Sequence, residues 1–172
     1  MTHKLIMLVG IPGSGKSTWA RNQVEKWQDR GYTAKIISRD DIRFSMIGDG
    51  DDYFRYENAV FAAFIKAIND AMNEGINLVV VDATHISPAS RFKVLSRLHP
   101  PHPETMSLEL AVFATSLETC IERNDMRTGL AKVPVSAIKS MAKGFTPPTM
   151  EELNNPKFPP FRGHIIFEKG EF

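Results

Sequence analysis

The 172-residue chain has a single cysteine, Cys120. Neither an internal disulfide nor a multi-cysteine zinc site can be built from one thiol, so a reducing compartment is expected. No apolar run approaches the roughly 18 residues a membrane-spanning helix needs. The opening MTHKLIMLVG is apolar but short, lacks a cleavage signature and runs straight into a glycine-rich loop, so no signal peptide is expected. Charge of one sign is not in excess either: 21 basic residues face 20 acidic ones, for a formal net charge of +1. That balance excludes a bulk polyelectrolyte binder of nucleic acid and leaves room for a local basic groove. There is no internal repeat, no low-complexity tract and no composition shift marking a domain boundary. What is present is ordinary for a globular chain, with 42% hydrophobic, 9% aromatic and 24% charged residues. The expectation is one domain over residues 1–172, soluble and cytoplasmic.

Short apolar runs alternate with longer stretches of helical character, the pattern of an α/β fold. Strands are predicted at 4–9, 33–38, 78–82 and 108–114, with 164–168 as a weaker fifth. Their cores, LIMLV, KIIS, LVVVD and LELAVFA, suit parallel strands buried on both faces. Helices are predicted at 17–30, closed by Gly31, at 53–74, closed by Gly75, and at 87–98, opened by Ser87 and Pro88. Residues 54, 61, 64, 65 and 68 carry the apolar periodicity of the second of these. Two shorter helices, 116–128 and 134–143, fall in a region read as a helical lid over 116–143. Proline clusters punctuate the second half, and 144–172 has too little periodicity for its structure to be assigned.

Gly10-Ile-Pro-Gly-Ser-Gly-Lys16-Ser17 fits G-x-x-x-x-G-K-S between a predicted strand and a predicted helix, the context this motif requires. Gly10, Gly13 and Gly15 free the backbone to turn successive N–H groups inward around Ser14 as an anion nest. The following helix aims its positive end at the same point. Lys16 adds a charge for the β- and γ-phosphates, Ser17 a hydroxyl for magnesium, and Thr18 extends the cradle. A chance match in a chain of this length has a probability of roughly one per cent or less. ATP and Mg2+ are therefore the expected ligands.

Three further clusters bear on the chemistry. Ser38-Arg-Asp40-Asp41-Ile-Arg43 ends the second predicted strand, where ligands of open α/β sheets bind. Asp40 can accept a proton from an attacking hydroxyl, and Arg43 can grip an anionic acceptor. The plainer reading makes Asp40 or Asp41 a helix cap and leaves Arg43 solvated. Asp82, after four apolar strand residues, stands where a Walker B carboxylate holds magnesium, and it can equally serve an acceptor-side arginine or bond loop amides. Arg123 and Arg127, four apart in one helix, repel mildly unless both face a polyphosphate or pair with Glu118 and Glu122. His85 reads as a loop histidine, since no metal-ligand spacing joins it to His3, His99, His102 or His164.

The chain lacks the guanine-reading N-K-x-D of a switch GTPase and is short for a motor ATPase, which leaves a small kinase. From 4 to about 143 it resembles the kinase domain of the bacteriophage polynucleotide 5′-kinases. The resemblance rests on G-I-P-G-S-G-K-S-T-W-A-R (10–21), R-D-D-I-R (39–43), Asp82, R-N-D-M-R (123–127) and K-V-P (132–134). It implies a phosphate-loop kinase fold: a parallel sheet of four to five strands flanked by helices, under a helical lid. It also implies Asp40 as general base on a 5′-hydroxyl and Arg43 on the neighbouring phosphate. Lys16 and Ser17 would serve ATP and magnesium, and Arg123 and Arg127 would clamp the donor. Asp82 and Thr84 would lie near the acceptor, with Val133 packed against its terminal base. Fused relatives carry a 3′-phosphatase with a D-x-D-G-T motif, which is absent here, so a stand-alone kinase for nucleic-acid repair is expected, in the host cytoplasm for a phage-encoded chain. DNA against RNA, and monomer against homo-oligomer, stay open. So do two rival readings: a kinase for a nucleoside or other small hydroxyl compound, and a non-catalytic ATP-binding module.

Overall fold

The computed structural model describes residues 3–48 and 51–168. Five strands, β1 (His3–Val9), β2 (Ala34–Ser38), β3 (Leu78–Asp82), β4 (Met106–Phe113) and β5 (Arg162–Glu168), form one sheet in the order β2-β3-β1-β4-β5. Every pairing is parallel. Side chains alternate across β1: Leu5, Met7 and Val9 enter the larger core, while Ile6 and Leu8 enter the smaller one. Helices α3 (Glu57–Asn73) and α4 (Pro88–Leu95) cover the first face with Phe64, Ile68, Val94 and Leu95. Helix α1 (Lys16–Gln28) covers the second, and Trp19 meets Phe113 edge to face at 5.6 Å.

β1 departs toward β2 over one face, and β3 departs toward β4 over the other. The carboxyl ends of neighbouring β1 and β3 are thus the topological switch point, where such sheets bind ligands. The loop after β1 and Asp82 at the end of β3 meet there. Register sets Ser38 beside Asp82, so the start of α2 (Arg39–Met46) overhangs the same crevice.

The predicted strands are present within two residues at each end, and the weak fifth is a full edge strand. The helices predicted at 87–98 and 116–128 both stop three residues early, at Leu95 and Asp125, where turns follow. Helix α3 begins at Glu57, not 53, because residues 53–56 form a turn and Phe54 is 65% exposed. The unassigned stretch after residue 143 is ordered by tertiary contacts. Its helix α7 (Met150–Leu153) and Phe158 pack into the larger core, and Glu152 pairs with the fully buried Arg91. Helices α5 (Leu117–Asp125) and α6 (Val135–Lys143) enclose a third small core of Ile11, Cys120 and Ile138 beneath the glycine-rich loop.

Candidate active site

The glycine-rich loop takes the conformation its composition permits. Gly13 and Gly15 have φ of 82° and 95°, in the left-handed region. A Cβ on Gly13 would also run into the Cys120 carbonyl. Gly15 caps α1 with no side-chain bond, so the first amides of a 13-residue helix stay unclaimed by side chains and face the loop. Ser14 is fully buried, and its carbonyl accepts from the Thr115 hydroxyl at 2.8 Å. The Gly10 amide donates to the Thr84 carbonyl at 2.9 Å, joining this loop to the one after β3. Thr18 sits on the first turn of α1 and accepts from Arg21 at 3.2 Å.

Lys16 is 7% exposed and donates to the Ile11 carbonyl at 2.9 Å. Burial holds its ammonium below the usual lysine range, against the pull of Asp82, and the charge of Arg127 pushes the same way as burial. The converse holds for Asp82: burial pushes its carboxyl up while Lys16 and the Ser17 hydroxyl draw it down. Ser17 Oγ donates to Asp82 Oδ2 at 2.7 Å. Those two oxygens are the donor type a hard divalent cation takes, and magnesium needs few protein ligands when phosphates and water supply the rest. Among the described residues no group of three or more His, Cys, Asp or Glu could hold a metal by itself.

Lys16, Ser17 and Asp82 share a cavity of about 280 Å³ with Asp40, Asp41, Thr84, Arg127 and Val133. Phe44 and Tyr53 line it from the α2–α3 side, Leu130 and Ala131 from the connection between α5 and α6. Neither aspartate caps α2, because Ser38 does so by accepting from the Asp41 amide at 3.2 Å. Such a cap stabilises a helix by about 1 kcal/mol and leaves both carboxylates in the first turn. Nor is Arg43 solvated. It is 5% exposed, lies behind Asp40 and off the cavity wall, and donates to Asp40 Oδ1 at 2.5 Å and Glu57 Oε2 at 2.8 Å.

Tyr53, which sequence reasoning placed inside a helix, completes this group. Its hydroxyl donates to Asp40 Oδ1 and accepts from Arg43, each at 2.9 Å. Burial and then the Asp40 charge push the phenol up to about 12, so it stays a donor at neutral pH. Asp40 Oδ1 thereby has two donors, while Oδ2 has no partner among the described residues. Glu57, also missed, accepts from Arg39 and Arg43 on separate oxygens. The guanidiniums hold its carboxyl below the usual range although burial works against them.

Arg123 and Arg127 part company. Arg127 lines the cavity of Asp40 and Lys16, whereas Arg123 approaches the Gly13 carbonyl at 3.5 Å and lines a second cavity of about 520 Å³ with Thr115, Thr119 and Phe167. Asn124 is fully buried, and its amide bonds both the N–H and the carbonyl of Val133, at 2.9 and 2.8 Å. One side chain thus closes the segment carrying Arg127 and Leu130. His85 is structural, as expected: Nδ1 donates to the Leu8 carbonyl at 2.9 Å, and Arg91 donates to the His85 carbonyl at 2.9 Å. Its φ of 44° is unusual for a residue with a Cβ, and those bonds hold it.

Comparison with known proteins accords with this geometry. A protein of Autographa californica nuclear polyhedrosis virus that bears the name of a bifunctional polynucleotide kinase/RNA ligase is 29% identical over 157 residues, covering 83% of this chain and 21% of the viral one. A chain in the structure of the Pnkp1/Rnl/Hen1 RNA repair complex superposes with a TM-score of 0.67 at 27% identity, over 83% of this chain and 44% of that one. The present chain therefore spans less than half the length of these relatives. Chaetomium thermophilum Kti12, solved with ADP-AlF3, shares the fold with a TM-score of 0.64 at 15% identity, over 97% of this chain and 89% of its own. No helix among the described residues is long and apolar enough to cross a membrane. The family model described as AAA domain matches residues 5–148, and the chain belongs to that family, AAA_33, as a phosphate-loop kinase-like domain.

Proposed function

We propose that this protein transfers the γ-phosphoryl group of ATP to the 5′-hydroxyl of a DNA or RNA end, with Asp40 as general base. One juxtaposition carries the reading: Asp40 and the Lys16–Ser17 cradle line the same cavity. The polynucleotide acceptor is suggested by the viral relative's name and by the RNA repair complex.

In this reading Gly10, Gly13, Ser14, Gly15 and Thr18 form the donor cradle, and the nucleoside of ATP extends toward the cavity beside Arg123. Asp40, oriented through Oδ1 by Arg43 and Tyr53, presents Oδ2 to the acceptor hydroxyl. As the new oxygen–phosphorus bond forms, the proton passes to Asp40, and the γ-phosphorus separates from the β–γ bridging oxygen, which leaves on ADP. Lys16 and Arg127 meet the charge spread over the transferred group. Magnesium, held by Ser17 and Asp82, would supply further charge neutralisation. Thr84 and Val133 position the acceptor's terminal nucleotide, whose base fits between Val133 and Leu130 on one side and Phe44 and Tyr53 on the other. Arg43 acts as a positioning residue behind Asp40.

Transfer from γ-labelled ATP to a matched panel of 5′-hydroxyl oligonucleotides, 5′-phosphorylated oligonucleotides and free nucleosides tests this. The first should be labelled best and the second not at all. Asp40→Asn should lose about 10²- to 10⁴-fold in turnover while ATP still binds. Preferential labelling of nucleosides, or full turnover by Asp40→Asn, would overturn the reading.

A further inference from the structure

Next to the cavity, three cations converge on one phenyl ring. The Arg39 guanidinium carbon lies 5.4 Å from the Phe61 ring centroid, Lys93 Nζ 4.3 Å and the Arg97 guanidinium carbon 5.7 Å. They come from the start of α2, from the last turn of α4 and from the turn just past its end, with Phe61 on α3 between them. Arg39 is paired with Glu57. Among the described residues Lys93 and Arg97 have no carboxylate partner, and Arg97 folds back to donate to the Lys93 carbonyl at 2.8 Å. Both side chains are exposed. The fold thus gathers three cations around one ring with a single carboxylate among them.

A contact chain joins this cluster to the reacting end. Asp40 bonds Arg43, Arg43 and Arg39 share Glu57, and Arg39 lies on Phe61. On the other flank, at the α2–α3 connection, Arg55 is already paired with Asp51. Charge complementarity therefore favours the path past Arg39 and onto the Phe61 ring, where Lys93 and Arg97 have no carboxylate partner among the described residues.

We propose that Lys93 and Arg97, held around Phe61 with Arg39, bind backbone phosphates of the acceptor strand some nucleotides downstream of its 5′ end. This inference rests on the polynucleotide reading above and assigns it a strand path. The cluster would make a long strand a better acceptor than a lone nucleotide without touching the transferred phosphoryl group.

The test is steady-state transfer from γ-labelled ATP by the wild type and by the double variant Lys93→Gln, Arg97→Gln. The acceptors are a nucleoside 3′-monophosphate and a single-stranded oligonucleotide of about ten nucleotides, within the span of known single-strand sites. KM is measured across a salt series. Two lost phosphate contacts should flatten the slope of log(1/KM) against log[salt] for the oligonucleotide by about 1.4. They should also raise that KM about tenfold at low salt. Transfer to the nucleoside 3′-monophosphate, the kcat values and the thermal midpoint should not move. An unchanged oligonucleotide KM and slope in a variant that still labels both acceptors would overturn the strand path and leave the proposed function standing. A wild-type protein that labels neither acceptor would overturn the proposed function, and the path with it.

Discussion

Replacing Glu152 with alanine would strand a guanidinium in the core. Arg91 is 0% exposed and donates through Nε and Nη2 to the two Glu152 oxygens, at 2.7 and 2.8 Å. Its Nη1 serves the His85 and Thr146 carbonyls at 2.9 and 3.0 Å. In Glu152→Ala those last bonds survive, while the positive charge loses its counter-ion and two of its donors lose their acceptors. Removing one member of a buried pair costs about 3–5 kcal/mol, and the surviving carbonyl bonds place this case toward the lower figure. At roughly 2–4 °C per kcal/mol for a domain of this size, the thermal midpoint should fall by about 6–15 °C. Urea unfolding followed by tryptophan fluorescence measures the loss, since Trp19 is buried against the sheet and Trp27 packs nearby. The double variant Arg91→Met, Glu152→Leu should recover most of it, because a well-packed apolar pair replaces a buried ion pair at little net cost. A Glu152→Ala unfolding free energy from urea titration within about 1 kcal/mol of the wild type would refute the argument and show that Arg91 reaches water once its partner is gone.

Tyr53→Phe removes one of the two donors on Asp40 Oδ1 and leaves the ring in place, so turnover should fall about tenfold, in line with a hydrogen bond to a charged group, with the KM for ATP unchanged. Gly13→Ala forces a Cβ onto the Cys120 carbonyl at a left-handed position, and equilibrium dialysis should find ATP binding weakened at least tenfold. His85 gives a pH test. Burial lowers its folded value to about 4, from 6.5, against the pull of its bond to Leu8. Between those values the unfolded chain binds a proton that the folded one refuses, so stability falls with falling pH by up to about 3 kcal/mol. His85→Asn, which tolerates a positive φ and keeps a donor for Leu8, should unfold in urea with a shallower pH dependence across that window.

The parts of this molecule legible in the sequence are those specified locally. Four apolar runs announce four strands because parallel strands buried on both faces need no polar alternation, and the glycine-rich loop announces itself by spacing. The α2–α3 connection was misread for a physical reason: Phe54 continues the apolar period of α3 by one turn, so the helix appeared to start at 53. Solvent takes Phe54 instead, and the turn at 53–56 is what carries Tyr53 to Asp40. The prolines after residue 143 give no period, since that stretch is ordered by Arg91, 61 residues earlier in the chain than its partner Glu152, and by apolar contacts with distant helices. The separate placing of Arg123 and Arg127 was equally out of reach, because helical spacing puts them on one face, while Arg127 lies just past the end of α5.

The backbone bond from Gly10 to Thr84 gives the molecule a particular division of labour. Every residue but proline brings the same N–H to position 10, so a change that shifts one of these two loops drags the other with it, and on the proposed reading mutational effects there would register on donor and acceptor together. The α2–α3 turn and the segment clipped by Asn124 keep only local backbone bonds, such as Arg55 to Asp52 and Lys132 to Gly129, and are tied to the rest of the fold through side chains. On the proposed reading, the α2–α3 turn is the place where descendants of this fold could trade one acceptor for another and leave their grip on the nucleotide untouched.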